Sequence, residues 1–428
     1  MNILMLGRWL PAPHRAEEAG REYRFARALA RSHTLTIAFV TDEPNPAGCI
    51  SALRGEFSDI EFAVVPRGWK TLSSAVRLAT GESCTMAYHR SEALSTRLGD
   101  RMRSSRYDLV YVSASSMIRY ALEMESSVPV VMDFGDIDSE WWLHQSQVRS
   151  FPGASFYRTE GMRLRLAETA VARRAARCLV GSPQSTRVLA TFAPWAPATV
   201  IPNGVDAEHF TPVLRLPSSP TALCVSAIET DKDVEAVADF CRSVMPRVLA
   251  RIPEARLVVA ARQAPPAIRG LEQIPGVVVA APVADLRPFL HRTAIAVAPL
   301  PSPRGLQTGV LEAMASGVPV VATSHGIEGI AATRGRHLHV EDSSAAFSER
   351  VVDLLADPAT RAEIGAQGRS FVQAHHSWDA SAERLSQVIA ATLPAMSTMS
   401  GVNGAIAPAT IPSLARAEAR TGVRVGGS

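Results

Sequence analysis

Val297–Thr323 reads VAPLPSPRGLQTGVLEAMASGVPVVAT, and its reading decides the fold. An apolar run, Ala294–Pro299, enters a glycine-bearing loop, and the loop opens onto a helix predicted over Gly309–Ser316. One carboxylate, Glu312, stands in that helix among small and apolar neighbours. The helix ends at Gly317, and Val318–Ala322 reads as the next buried strand. A strand, a glycine-bearing loop and a helix N-terminus form a natural phosphate site, because unpaired backbone N–H groups and the helix dipole both favour an anion. A carboxylate one turn into the helix can accept hydrogen bonds from a ribose or sugar hydroxyl. The stretch points to a nucleotide-sugar site.

The rest of the chain is compatible with this. Its 428 residues suffice for two ordinary domains, and 47% hydrophobic with 20% charged residues suit a folded protein. No run approaches the roughly 20 apolar residues that cross a membrane. Met1–Leu10 is apolar but interrupted by Arg8, which fits a first buried strand better than a signal peptide. Five cysteines without C-x-x-C spacing argue for a reducing compartment, the cytoplasm, and against structural zinc. A net charge of +3 gives no reason to expect nucleic-acid binding. Of 44 basic residues only Lys70 and Lys232 are lysines, a bias toward arginine that makes each lysine mildly informative, since some phosphate sites need a compact point charge.

Apolar strands alternate with amphipathic helices along both halves, for example Asn2–Leu6, Ala19–Ser32 and Thr34–Val40, then Ala222–Val225, Asp233–Arg251 and Arg256–Ala260. Long helices are also predicted over Ala87–Ser104 and Ala114–Glu125. Such alternation implies parallel sheets covered on both faces, an α/β chain of two Rossmann-like domains. Ligands of such sheets bind beyond the carboxyl ends of the strands, so two facing sheets would place a site in a central cleft. Pro194–Pro220 holds six prolines and marks the boundary. The expected domains are 1–200 on the acceptor side, 201–220 as a hinge, and 221–376 for the nucleotide-sugar. An amphipathic helix is expected over 377–393, and 394–428 would be a disordered tail.

LEAMASGVPVVAT resembles the C-terminal signature of glycosyltransferase family 4, retaining sugar transferases of the GT-B fold. That family usually places two glutamates in E-x7-E; here Glu312 is the second, and Arg304 stands at the first. RGLQTGVLEAMA is similar to a bacterial subgroup associated with exosortase (PEP-CTERM) exopolysaccharide systems, in which Arg-Gly commonly replaces Glu-Gly. Ile201–Asp206, IPNGVD, with Phe210 and Pro212, matches the family's hinge string. Asn203-Gly204 by itself is turn chemistry, since both residues tolerate positive φ. In the family an Arg and a Lys five residues apart grip the donor diphosphate; this chain has Ala227 and Lys232 there. The resemblance implies that the helix over 377–393 returns to the first domain. It also implies donor contacts from Gly20, Lys232, Val283, Arg304, Gly305, Gln307, Thr308, Gly309 and Glu312. Arg304 is the candidate to replace the charge missing at Ala227, Glu312 holds the ribose, and Val283 with Leu286 flanks the base. Core packing explains Leu286 equally well.

On the N-terminal side, Gly20 begins the first long helix, again a place suited to phosphate or sugar. No G-x-G-x-x-G follows the first strand, which removes the usual dinucleotide fingerprint. Asp133, Asp136 and Asp138 crowd an acidic loop at a strand end, followed by Trp141 and Trp142. They are the catalytic candidates on the acceptor side, able to orient or deprotonate a hydroxyl, with Lys232 serving the leaving group. Capping and solvated charge is the competing account of the acids. The resemblance implies no metal and no cofactor, the nucleoside-diphosphate-sugar being a co-substrate. Arg149–Arg177 contains MRLRLAETAVARRAAR, read as a solvated basic helix face with snorkelling arginines, or as electrostatic contact with anionic lipid.

The expected activity is a retaining transfer of sugar from a nucleoside diphosphate to a hydroxyl of a saccharide or lipid-linked acceptor. The work would be done in the cytoplasm, with peripheral contact to the inner membrane's cytoplasmic face as a further expectation. A nucleotide-sugar epimerase of the same fold and a non-catalytic nucleotide-sugar-binding protein are the alternatives.

Overall fold

The computed structural model describes residues 1–8, 20–43, 46–66, 68, 81–104, 106–124, 127–212, 217, 219–226, 228, 231–261, 266–300 and 307–399, without the side chains of 49, 52, 148, 231, 232 and 393–399. The chain divides into two compact units, Met1–Ile201 with Ala382–Ser428, and Pro202–Ser381.

In the first unit, β1 (Asn2–Gly7), β2 (Thr34–Thr41), β3 (Asp59–Val64), β4 (Leu109–Ser113), β5 (Val130–Gly135), β6 (Ala175–Val180) and β7 (Ala198–Val200) form a parallel sheet in the order β3-β2-β1-β4-β5-β6-β7. Ile3, Leu4, Met5 and Leu6 are all buried, as a strand covered on both faces requires. The connections are α1 (Arg21–Ala30), α2 (Ala47–Arg54), α3 (Cys84–Tyr88), α4 (Glu92–Ser104), α5 (Ile118–Glu123), α6 (Asp138–Val148), α7 (Gly153–Arg174) and α8 (Pro183–Phe192). The strand order reverses between β1 and β4, the place where doubly wound sheets receive ligands.

The helix expected over Ala87–Ser104 is broken into α3 and α4. Buried Tyr120 explains the break: its hydroxyl donates to His89 O (2.7 Å) and accepts from Ser91 N (2.9 Å), while Ser91 Oγ accepts from Leu94 N (3.3 Å) at the start of α4. The helix expected over Ala114–Glu125 begins instead as a 3₁₀ turn, Ser115–Met117, before α5.

The second unit contains β8 (Thr221–Cys224), β9 (Arg256–Ala260), β10 (Val277–Ala280), β11 (Ile295–Ala298), β12 (Val320–Ala322) and β13 (His339–Val340), parallel in the order β10-β9-β8-β11-β12-β13. Its helices include α9 (Asp231–Leu249), α10 (Pro266–Arg269), α11 (Arg287–Leu290), α12 (Thr308–Ala315), α13 (Ser344–Ala356) and α14 (Pro358–His375). Successive side chains leave a strand on opposite faces. Accordingly Ala222, Cys224, Ile295 and Val297 pack with residues of α9 and α13. Leu223, Val225, Ala296 and Ala298 pack on the other face with Val310, Leu311 and Met314 of α12. The order reverses between β8 and β11.

α15 (Trp378–Met399) follows. It runs through Pro394, so the expectation of disorder from that residue is corrected over 394–399, and 400–428 lie outside the described residues. Among the described residues no helix is long and apolar enough to cross a membrane.

Candidate functional site

In the second unit the reversal point is built from the ends of β8 and β11. Val225 N bonds to Val297 O at 3.0 Å, extending β8 alongside β11. α12 starts against this point: a Cβ on Gly309 would lie 2.2 Å from Val225 O. Only glycine lets the helix N-terminus come this near the backbone. The first helical bond is Leu311 N to Gln307 O (3.3 Å), so the N–H groups of Thr308, Gly309 and Val310 precede the helix ladder. Thr308 is exposed and Gln307 buried. Glu312 is half-buried in a helix whose apolar residues Val310, Leu311, Ala313 and Met314 are buried. At the other end Gly317, at φ +69°, closes a Schellman motif, with Gly317 N to Met314 O and Val318 N to Ala313 O both at 3.0 Å.

Val283, after β10, bonds to Ala261 O at 3.0 Å and packs with Leu286 on the same core face as Val225 and Val310. Sequence reasoning missed Arg287, which holds Asp285 (2.9 Å) and His209 Nδ1 (3.2 Å). It also missed Arg369, whose guanidinium donates to Phe210 O (2.8 Å), Ala207 O (3.2 Å) and Ala315 O, joining the IPNGVD segment to the last carbonyl of α12. No charge pattern marks Arg369, because its partners are backbone carbonyls far along the chain, and the local Asp285–Arg287 pair gives no sign of the distant His209. The side chain of Lys232, in the first turn of α9, lies outside the described residues, as do Ala227, Arg304 and Gly305.

The reason for the glycine in IPNGVD differs from the expected one. Neither Asn203 nor Gly204 has positive φ. A Cβ on Gly204 would instead lie 2.5 Å from Trp378 N, because the Ser377–Trp378 backbone runs alongside and Val205 N bonds to His376 O at 2.7 Å.

In the first unit the three aspartates go to three different places. The stretch read as an acidic loop is mostly regular structure: β5 extends to Gly135 and α6 begins at Asp138, where Asp138 and Glu140 complement the helix dipole. Asp133 lies within β5 and is 2% exposed. Arg21 grips its carboxylate through Nε (2.8 Å) and Nη2 (2.9 Å), with Gly135 N at 3.0 Å and the Tyr111 hydroxyl as further donors. Arg21 also donates to Ile201 O (2.7 Å) and lies over the Phe25 ring. Burial opposes its charge, yet Asp133 outweighs that and holds the guanidinium above its ordinary value. Burial, then the charge of Asp133, pushes the Tyr111 phenol well up. So saturated a carboxylate is held as the partner of Arg21, which argues against the free base expected at Asp133.

Asp136 is exposed, in the short link before α6, and accepts from Ser185 Oγ at 3.3 Å near the start of α8. Asp138 is half-buried; burial raises its carboxyl, and its Oδ2 is buried with no hydrogen-bond partner. Close by, Ala114 follows β4 at φ 72°, a positive φ found at no other non-glycine among the described residues, and leads into Ser115 and Ser116. Backbone strain of this kind gathers at functional sites. Gly20 caps α1 with an extended backbone at φ −69°, and a Cβ there would meet nothing within 4 Å. Neither conformation nor packing demands this glycine. Among the described residues no three His, Cys, Asp or Glu side chains converge as a metal site.

Glu168 of α7 lies fully buried beneath Asp138 and Ser139. It accepts from Ser115 Oγ (2.8 Å), Ser139 N (3.1 Å) and Ser139 Oγ. Burial raises it from 4.5 to about 7. The folded protein therefore holds this proton more tightly than the unfolded chain, so its stabilising share is complete below pH 4.5 and is lost as pH rises toward about 7. Glu168→Gln should remove a decline of about 3 kcal/mol over that window, the linkage of about 1.4 kcal/mol per pH unit. Urea midpoints of both proteins at several pH values check it, and parallel pH profiles would show that Glu168 is ionised throughout.

Comparison with known proteins agrees with this geometry. Residues 219–357 match the family described as glycosyl transferases group 1. A GDP-mannose-dependent monoacylated alpha-(1-6)-phosphatidylinositol monomannoside mannosyltransferase of Corynebacterium glutamicum is 30% identical over 217 residues. That match covers 44% of this chain and 55% of the relative, so the chain spans about half the length of the curated relative. Among solved structures, the sucrose-phosphate synthase of Thermosynechococcus elongatus superposes with TM-score 0.59 at 18% identity, over 92% of this chain and 99% of that one. Anabaena HepE in complex with UDP gives 0.61 at 14% identity, over 91% and 100%. The two parallel sheets with their interleaved helices are the GT-B fold.

Proposed function

We propose that this chain is a retaining glycosyltransferase that moves a sugar from a nucleoside diphosphate to a hydroxyl of a saccharide or lipid-linked acceptor, in exopolysaccharide or glycoconjugate synthesis. The observation that supports it best is the N-terminus of α12, set against the end of β8 at the sheet reversal, with Glu312 one turn in. The departing diphosphate gains charge as the glycosidic bond breaks, and preorganised N–H dipoles favour that charge without reorganising. Thr308, Gly309 and Val310 supply the N–H groups, Lys232 and Arg304 the cationic side chains, and Gln307, Gly305, Val283 and Gly20 further donor contacts. Asp136 and Asp138 serve the acceptor hydroxyl. Peripheral contact with the cytoplasmic face of a membrane belongs to the same reading, since the mannosyltransferase relative is named for a phosphatidylinositol glycolipid.

Glu312→Gln is the decisive variant. A charged hydrogen bond contributes about 1.5–3 kcal/mol, so donor affinity should fall about tenfold or more with Tm near wild type. Intact affinity with a collapsed Tm would make Glu312 structural and sink the reading. One relative is named as GDP-mannose-dependent, and Anabaena HepE is solved in complex with UDP. A thermal-shift screen of UDP-, GDP- and ADP-sugars identifies the base, because a ligand at about 100 times its Kd adds about 2.7 kcal/mol.

A further inference from the structure

We infer that the outer face of α6 and α7 is a docking surface for anionic lipid headgroups. The inference deepens the membrane-facing part of the proposed function and rests on that reading for its purpose, though not for its geometry. α7 carries seven ionisable residues, Arg158, Glu160, Arg163, Arg165, Glu168, Arg173 and Arg174. Both carboxylates are fully buried. Glu160 accepts from Ser83 Oγ (2.6 Å), Cys84 N (2.7 Å) and Thr85 N (2.9 Å), and Glu168 from Ser115 and Ser139. The acids that would neutralise this helix in a sequence count are thus turned inward. The charge α7 offers to solvent is that of exposed Arg158 and Arg173, while Arg163, Arg165 and Arg174 are half-buried, held by Glu82 O (3.3 Å), Glu140 of α6 (2.6 Å) and Met124 O (2.6 Å).

Between these arginines, apolar side chains that a water-facing helix would not select stand exposed. Met162 is 51% and Leu166 47% exposed, one turn apart on the stripe that also carries Arg158 and Arg173. At the N-terminal end Phe151 is 84%, Phe156 38% and Trp141 53% exposed. The rings there brace one another: Trp142 lies 5.0 Å from Tyr157 and 6.0 Å from Phe156, and the Arg149 guanidinium sits 4.4 Å over Tyr157. At the far end Arg173 lies 5.2 Å over half-exposed Trp195. Aromatic rings and arginines along a helix of about 33 Å suit the headgroup layer, where rings sit at the boundary and each cation gains about 1 kcal/mol near an anionic leaflet. A second copy fits worse, because a two-fold contact sets this arginine face against itself.

The test is co-sedimentation of the full chain with vesicles of phosphatidylcholine alone, or with about one third phosphatidylglycerol, at low and high salt. The expected result is binding at least about tenfold tighter to the anionic vesicles, weakened by salt. Arg158→Glu with Arg173→Glu should remove that preference, and Met162→Ser with Leu166→Ser should weaken binding separately; all four side chains are surface groups. Equal binding to both vesicles, no binding, or self-association through this face without vesicle binding would each overturn the inference. Thermal shifts with nucleotide-sugars on the same proteins keep the two ideas apart. Vesicle binding without a donor shift would leave the docking surface and sink the transfer reading, and the reverse result would do the opposite.

Discussion

Arg21→Ala should destabilise the first unit by about 3–5 kcal/mol, the cost of stranding one member of a buried ion pair. Asp133 is 2% exposed and would keep only the Tyr111 hydroxyl and Gly135 N, while Ile201 O loses its donor. The same logic separates a positioning carboxylate from a catalytic one. Asp133→Asn should lose stability, because Arg21 then lacks its counter-charge; a catalytic base would instead lose turnover with little change in Tm. Replacing both residues with apolar ones, Arg21→Met with Asp133→Leu, should recover much of the loss, since an apolar pair of similar volume leaves no charge unanswered. Urea unfolding followed by circular dichroism measures all of these. An Arg21→Ala cost below about 1 kcal/mol would mean that the pair is solvated, contrary to its burial.

Gly309→Ala should cost about a hundredfold in transfer rate together with about 1–3 kcal/mol of stability. The added methyl would fall 2.2 Å from Val225 O, about 1 Å inside any tolerable contact, so the start of α12 must move away from β8. That movement carries the N–H groups of Thr308, Gly309 and Val310 off the position proposed to receive the diphosphate. Nothing else in the helix needs to change, because the Schellman closure at Gly317 anchors its other end. Donor affinity and single-turnover rates, measured beside Tm, distinguish the outcomes: lost stability with unchanged rate would show that this helix end plays no part in transfer.

Much of the architecture was legible because parallel strands buried on both faces must be written as apolar runs. Asn2–Leu6, Thr34–Val40 and Arg256–Ala260 fall within a residue of where the sequence places them. The α12 stretch was legible for the same reason, with glycine and a lone carboxylate standing out against alanine and valine. What escaped depends on partners far along the chain. Asp133 looks like its neighbours Asp136 and Asp138 until Arg21, 112 positions away, is placed on it. Gly204 reads as a turn residue until the Ser377–Trp378 backbone is laid beside it. Glu160 and Glu168 read as acids on a basic surface helix, and only the fold turns them inward beneath the arginines.

The pairing of Val205 with Ser377, supported by the bond from Ser381 Oγ to Pro202 O at 2.8 Å, ties the two ends of the second unit together. That unit is therefore an insertion with a closed neck, and its entire length is translated before the first unit receives its final segment. During synthesis the second unit can close while the first still awaits Ala382 onward, where Leu385 and Ile389 become fully buried. A stop codon in place of Ala382 would spare the inserted unit and leave unfinished the one whose synthesis began first.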